Sequence, residues 1–343
     1  MIESVLAGIA GLLAAAIRRV RSESPRPSSI TRAALLVLFV PLFGVWMAFR
    51  AILLALRRTV DLEAEVDLGG GCPRRMRCTI PDMIQMYLAL FGTWEPDLTA
   101  HIRRRLRPGD GYIDIGANVG AFVLVALEEV GREGSVLAID ASPVLATRLR
   151  ENLARNGFVE LEPGSPRVVQ MAVSDVTGHL TLYEGPLENR GRSTTLGPQG
   201  AETTSYAVAC APLPRLATPE ELRHARLIKI DVEGAEPAVL RGMEPAIAEL
   251  RADCEILVEL SPHWWPADGP TAEAVLAPYL RAGFIVYELP NNYWPWRYVW
   301  RRAIAPPKRF RESLKHLRRR VDLVLSRIDA EFLDDAVPFP TPR

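Results

Sequence analysis

The residues best placed to do chemistry begin at Asp114. Asp114-Ile115-Gly116-Ala117-Asn118-Val119-Gly120 joins an apolar run, Gly111–Ile115, to a segment of helical period, Val119–Val130. Glycine at Gly116 lets the backbone approach a ligand closely, and glycine at Gly120 lets the following helix pack near it. Roughly twenty residues further on, Asp140 closes a second apolar run, Ser135–Ile139, where a carboxylate suits the two hydroxyls of a ribose. Dinucleotide sites share that carboxylate but use G-x-G-x-x-G, which cradles a pyrophosphate. Here the spacing is G-x-x-x-G with an acid just before the first glycine. A carboxylate repels a pyrophosphate and pairs with an ammonium group. S-adenosylmethionine carries an ammonium group and no phosphate, so it is the expected ligand of Asp114, Gly116, Ala117, Asn118, Gly120 and Asp140. An ordinary tight turn would account for the glycines alone; Asp140 at the right distance argues against it.

A second constellation lies at Lys229–Glu236, K-I-D-V-E-G-A-E. Lys229, Asp231 and Glu233 alternate, so they share one side while a strand lasts. Methyl transfer from a sulfonium is an in-line displacement, and a hydroxyl acceptor must also lose a proton to a base or a metal. Asp231 or Glu233 is expected to be that base, with the other positioning substrate or cofactor; the alternative is a Lys229–Glu233 ion pair that braces the turn. Glu236 is expected to open a helix, where its charge complements the positive end. Asp231, Glu233 and Glu259 could hold Mg²⁺, but no spacing rule demands it, and no metal ligand is assigned. His263, in Ser261-Pro262-His263-Trp264-Trp265, is a second candidate base or a packed surface histidine. Asn189–Thr195 is a cover for the acceptor or a plain connector.

The elements that position these residues alternate between strand and helix from Arg107 onward, the pattern of an α/β fold with a mostly parallel central sheet. Strands are expected at Gly111–Ile115, Ser135–Ile139, Val168–Val173, His179–Tyr183, Leu227–Asp231, Cys254–Glu259 and Phe284–Leu289, with helices over Val119–Val130, Pro143–Asn156 and Thr271–Ala282. Four stretches in this order resemble the FkbM family of S-adenosylmethionine-dependent methyltransferases: G-D-G-Y-I-D-I-G-A-N-V-G from Gly109, A-I-D-A-S-P from Ala138, A-V-S-D-V-T-G from Ala172, and K-I-D-V-E-G-A-E from Lys229. The resemblance implies a Rossmann-like class I methyltransferase fold with S-adenosylmethionine as cofactor. It implies Ala172 and Val173 against the adenine, with Asp175 either joining them or capping its own turn. It also implies O-methylation of a hydroxyl on a small molecule, sugar or lipid-linked glycan. The family usually carries E-P-x-P where this chain has Asp140-Ala141-Ser142-Pro143, which keeps the carboxylate on a shorter arm. N- or C-methyl transfer on the same cofactor, or an inactive membrane-associated binding protein, are the alternatives; the intact motifs speak against the last.

The chain has 343 residues, and lysine plus arginine equals aspartate plus glutamate at 41 each, so no nucleic-acid partner is expected. Both ends are nevertheless basic: Met1–Val60 holds eight arginines against Glu3 and Glu23, and Arg297–Arg320 ten lysines and arginines against Glu312. Met1–Ile17 and the uncharged run of 17 residues Ala33–Phe49 are apolar. Ala33–Phe49 reaches about 25 Å as a helix, short of a bilayer core of about 30 Å unless Ala51–Leu56 extends it and Arg50 snorkels. Residues 1–60 are therefore expected to be an apolar helical N-terminal extension that attaches the protein to a membrane, with the catalytic domain in the cytoplasm. A helical pair packed on a soluble cytoplasmic domain is the alternative. Residues 61–106 are expected to form a connecting helical region, 107–290 the methyltransferase domain, and 291–343 an aromatic and basic extension. In that extension, Asn291–Arg302 and an amphipathic helix over Lys308–Arg320 suit a membrane interface, an anionic acceptor, stacking on single-stranded nucleic acid, or plain packing of core tryptophans beside a solvated face. Cys72, Cys78, Cys210 and Cys254 lack zinc-site spacing and are expected to be free thiols.

Overall fold

The computed structural model describes residues 5, 8, 11, 12, 29–68, 73–160, 162, 164–198, 200, 203–299 and 304–336. The chain forms two compact units. The first is 1–96 with 186–190 and 292–304, and the second is 97–185 with 191–291 and 305–343.

In the first unit the apolar run becomes a 27-residue helix, α1 (Ser29–Ala55), with Pro41 inside it. Phe39, Trp46 and Leu53, seven residues apart in turn, are buried on one side. Arg50 lies on that side too: its Nε donates to the carbonyl of Pro81 at 2.9 Å. Arg50 is thus bound to backbone within the unit instead of snorkelling. Among the described residues, no helix is long and apolar enough to cross a membrane. Most of Met1–Ile17, like Cys72, lies outside the described residues.

The segment 61–106, expected to be a connecting helical region, begins with an antiparallel pair, β1 (Val60–Val66) and β2 (Arg74–Ile80). Val60, Leu62 and Val66 alternate with polar residues, the period of a half-buried strand. Helix α2 (Met83–Phe91) follows, capped by the Asp82 carboxylate on the Gln85 amide and closed by left-handed Gly92. Tyr298, from the short helix Pro295–Val299, packs edge-on against Tyr87 at 4.7 Å, and Trp296 lies 5.3 Å from Phe39. Tyr298 and Val299 are therefore buried in this unit, whereas Trp294 is 70% exposed.

The second unit opens with α3 (Pro96–Arg105) and is built on an eight-stranded sheet. Its strands are β3 (Gly111–Ile115), β4 (Ser135–Ile139), β5 (Arg167–Val169), β9 (Ala225–Ile230), β10 (Glu255–Leu260), β11 (Ile285–Glu288), β12 (Lys308–Arg309) and β13 (Val321–Ser326). Their order is β12-β11-β13-β10-β9-β3-β4-β5. The run β10-β9-β3-β4-β5 is parallel, and β13, β11 and β12 pair antiparallel. This is the expected Rossmann-like sheet. Strand order reverses at β3, which has β4 on one side and β9 on the other, so the carboxyl ends of β3 and β9 flank the switch point where such sheets bind ligands. Helices α4 (Ala121–Val130) and α5 (Pro143–Arg155) follow β3 and β4, and α5 starts with Ser142 capping the Leu145 amide.

Two expectations change. Val168–Val173 is not one strand: β5 ends at Val169, and Ala172–Val173 forms β6 in a separate three-stranded sheet with β7 (Gly178–Tyr183) and β8 (Ser205–Ala211). Lys308–Arg320 is not a helix; it holds β12 and a single turn, Leu314–His316, and leads into β13. The last strand is an inner strand of the main sheet, so 305–336 completes the domain instead of extending it. Cys78, Cys210 and Cys254 are buried, and Cys210 and Cys254 are free thiols.

At the amino end of β10, Glu255 is fully buried against His101 Nε2 at 3.0 Å and Arg105 Nε at 3.0 Å, with Arg226 3.5 Å away. Arg105 also binds Asp334 at 3.0 Å. The carboxyl ends of the strands, opposite this ion cluster, carry the sequence-predicted site.

Candidate functional site

The glycine turn between β3 and α4 is held in left-handed backbone at Gly116 (φ 84°), Asn118 (φ 51°) and Gly120 (φ 90°). A side chain at Gly116 would place its first carbon 1.9 Å from the Asp231 carbonyl oxygen, and one at Gly120 would fall 2.4 Å from Leu149 of α5. The two glycines thus let the turn touch β9 and α5.

Every amide of this turn is satisfied within the protein. The amides of Gly116 and Ala117 donate to the Ile139 carbonyl, and that of Gly120 to the Ala117 carbonyl. The Asn118 amide donates to Asp140 Oδ2 at 2.8 Å, and the Val119 amide to the Asn118 side chain at 2.8 Å. A pyrophosphate needs amides that point outward at it. This turn offers none, so its donor pattern rejects a dinucleotide, as the acid before Gly116 suggested.

Asp140 lies where the sequence placed it, at the end of β4. Its carboxylate takes the Asn118 amide and, at 2.8 Å, the Ser142 amide. Burial pushes its pKa up to about 7 against the pull of these two donors. Each carboxylate oxygen has a second lone pair, so hydroxyl donors can still be accepted there.

Asp114 departs from expectation. It is wholly buried beneath the turn, with Lys229 Nζ 3.2 Å from Oδ1 and the Tyr112 hydroxyl 3.3 Å from Oδ2. Burial raises its pKa, and Lys229 opposes the rise. Lys229 does not pair with Glu233. It bridges Asp114 to Asp231, whose Oδ2 is 3.3 Å away, and lies 5.2 Å over the Phe122 ring. One buried ammonium therefore ties the end of β3 to the end of β9.

Beyond β9, Glu233 adopts a left-handed conformation (φ 38°), which is costly for a residue with a side chain. The Thr194 hydroxyl donates to its carbonyl at 2.8 Å. Gly234 follows, and a side chain there would meet Leu196 at 2.5 Å. The polar loop Asn189–Thr195 therefore reaches this turn through Thr194. Burial pushes the Glu233 carboxyl up to about 7, helped by the like charges of Asp231 and Glu236 and opposed by Arg320 and Arg192. Glu236 begins α6 (Glu236–Met243), but fully buried: it accepts the Gly234 amide and the Trp265 indole N–H, each at 2.8 Å, and burial raises its pKa to about 7.

His263 stands beside these groups, its pKa lowered by burial and by Arg320 and Arg192. Its ring centroid is 6.1 Å from Trp264, over which the Arg192 guanidinium lies at 5.1 Å. Glu259 pairs in register with Asp322 of β13 and lies 3.7 Å from Arg320. Burial pushes Asp322 up to about 6. Among the described residues, no group of three or more histidine, cysteine, aspartate and glutamate side chains is arranged to hold a metal ion. Ala172 and Val173 are buried in β6, and Asp175 is held by Arg241 at 2.8 Å. The sequence reading missed the Lys229 bridge, Arg192, Arg320 and the Glu236–Trp265 bond. All four depend on partners from distant parts of the chain.

Comparison with known proteins adds a sequence likeness to this geometry. Residues 114–286 match the family described as "Methyltransferase FkbM domain". The "31-O-demethyl-FK506 methyltransferase FkbM" of Streptomyces tacrolimicus is 34% identical over 169 residues, covering 41% of this chain and 62% of that protein. An arsenite methyltransferase of Halobacterium salinarum is 28% identical over 117 residues, 32% of this chain and 30% of that protein. The chain thus spans less than two thirds of either relative. The crystal structure of methyltransferase FkbM from Methylobacillus flagellatus KT matches over 70% of this chain and 52% of that one, with 12% identity and a TM-score of 0.36.

Proposed function

The chain belongs to the FkbM family of S-adenosylmethionine-dependent methyltransferases, and from that premise we propose that it methylates a hydroxyl of a small molecule, sugar or lipid-linked glycan, with Glu233 as the base. The observation that carries this reading is the placement of Glu233 just beyond the carboxyl end of β9, in a left-handed turn (φ 38°) held by the Thr194 hydroxyl, where burial and the neighbouring Asp231 and Glu236 raise its pKa to about 7. A base of that strength is half ionised near neutral pH and can take a hydroxyl proton as the new bond forms.

The residues present fit the cofactor: a turn with no outward amide for phosphate, and the Asp140 carboxylate at the end of β4 for ribose hydroxyls. Ala172 and Val173 would line the adenine side. S-adenosylmethionine, when bound, supplies an electrophilic methyl group on a sulfonium. Gly116, Ala117, Asn118 and Gly120 form the floor of the site, and Asp114 acts from below by holding Lys229. Through Lys229 it fixes Asp231, a positioning residue beside the acceptor. Glu233 accepts the proton, and its strained backbone, locked by Thr194, keeps the carboxyl in place.

Two measurements test this reading. Incubation with methyl-labelled cofactor and a panel of hydroxyl-bearing acceptors is expected to give a methyl ether that survives mild alkali. A label lost to alkali would indicate a methyl ester, and a label on nitrogen or carbon would likewise overturn O-methylation. Gly116→Ala is expected to weaken S-adenosylmethionine binding by roughly tenfold or more in calorimetric titration, because the new methyl group meets the Asp231 carbonyl oxygen just after β9 and the left-handed φ alone costs about 1–2 kcal/mol. Unchanged affinity would remove the turn from the site.

A further inference from the structure

We propose that α1 lies in the plane of an anionic lipid surface, with its solvent-facing half sunk among the acyl chains. From Val37 to Ala55 the helix is apolar except for Arg50, yet its described side chains are covered on one side only. Phe39, Trp46 and Leu53 face the first unit, and Arg50 is bound on the same side. On the opposite side Val37 is 72% exposed, Val45 54%, Ile52 53% and Leu56 62%. Exposed residues between them are Val40, Pro41, Gly44, Met47, Ala48, Ala51 and Ala55, so this face has no polar side chain from Val37 to Leu56. At 1.5 Å per residue it is about 28 Å long. A dry stripe of that length on a water-soluble surface marks a contact site.

The charges around the stripe select its occupant. Arg18, Arg19, Arg21, Arg26 and Arg32 precede it in sequence, and Arg57 and Arg58, both exposed, follow it. A second copy packed on this face by twofold symmetry would set arginines against arginines in either helix direction. It would also find no side-chain hydrogen-bond partner, and protein interfaces normally supply about one hydrogen bond per 100–200 Å². Anionic headgroups complement both ends at once, and acyl chains ask nothing polar of the middle. The segment that brings Trp296 onto Phe39 carries Trp294 with its indole exposed, a side chain suited to the headgroup layer. With the first unit behind it and Arg50 tied to Pro81, the helix is placed to lie along the surface and not through it.

Flotation of the purified full-length protein tests this. It should rise with phosphatidylcholine–phosphatidylglycerol vesicles roughly tenfold more than with phosphatidylcholine alone, and high salt should reduce the difference. Val45→Asp and Ile52→Asp change exposed positions only, so thermal midpoint and S-adenosylmethionine binding should stay at wild-type values while flotation falls about tenfold. Bound protein should be released by alkaline carbonate. Wild-type protein that stays at the bottom of the gradient would overturn the proposal, as would flotation indifferent to both substitutions or resistant to carbonate. A lipid-free oligomer in sedimentation velocity that Val45→Asp dissociates would assign the face to a second copy instead.

Discussion

Replacing Glu233 by glutamine is expected to lower kcat by about 10²–10⁴, the usual worth of a positioned base, while S-adenosylmethionine still binds with wild-type affinity. The amide keeps the size and shape of the carboxyl but cannot accept the acceptor's proton. Burial, with Asp231 and Glu236 close by, holds the wild-type carboxyl at about 7. A base must be unprotonated to act, so kcat/KM of the wild type should rise with pH through about 7 and level off above it. Glu233→Gln should lose that limb along with the rate. Asp231→Asn provides the contrast: it removes the partner that Lys229 holds at 3.3 Å, so it should reduce turnover yet leave a pH limb in place. If Glu233→Gln stays within about threefold of wild type across the pH range, a loss too small for a missing general base, Glu233 is not the base; if Asp231→Asn abolishes the limb instead, the two roles are exchanged.

The parts of the site that were legible in the sequence are those with local signatures. A strand, a glycine turn and a helix follow one another within Gly111–Val130, so spacing alone locates the turn and sets Asp140 at its side. The alternation at Lys229, Asp231 and Glu233 likewise marks the end of a strand. Partners are a different matter. Lys229 could be paired with Glu233 on paper, four residues away, but β3 and β9 are adjacent in the sheet and Asp114 stands in register with Lys229. Sheet register therefore decides the ion pair. The same holds for Glu236, whose indole partner Trp265 comes from the loop after β10. Lys308–Arg320 shows a further limit: its charge and periodicity suit a helix, but β13 beyond it must reach back antiparallel to β10, Leu260 facing Val321, and the connecting chain is drawn out to serve that pairing. Val168–Val173 fails for a related reason, since an apolar run says nothing about which of two sheets claims each half.

The other large effect is expected at the far end of β10. Glu255→Gln should cost about 3–5 kcal/mol of stability, the penalty for leaving buried charge uncompensated, with a fall in Tm on the order of 10 °C. Arg105 is 1% exposed at its side chain and Arg226 8%, so neither can turn to water when the carboxylate is gone. Burial alone would push the Glu255 carboxyl up; His101, Arg105 and Arg226 outweigh it and hold the group at about 2. With a folded pKa below its ordinary value, Glu255 contributes stability that is complete above about 4.5 and drains away as pH falls toward 2. His101 adds an earlier loss: burial lowers its pKa, so the unfolded chain takes up a proton below about 6.5 that the folded chain refuses. Thermal melts of wild type should therefore weaken from near pH 6.5 downward, and those of Glu255→Gln should start lower and lack the wild type's further fall between about 4.5 and 2. S-adenosylmethionine affinity at neutral pH should be the same in both, because Glu255 stands at the opposite end of the strands from the glycine turn. A Tm within about 1 °C of wild type, less than 1 kcal/mol in a domain of this size, would show that the cluster contributes little to the fold, and a selective loss of cofactor affinity would tie it to the site instead.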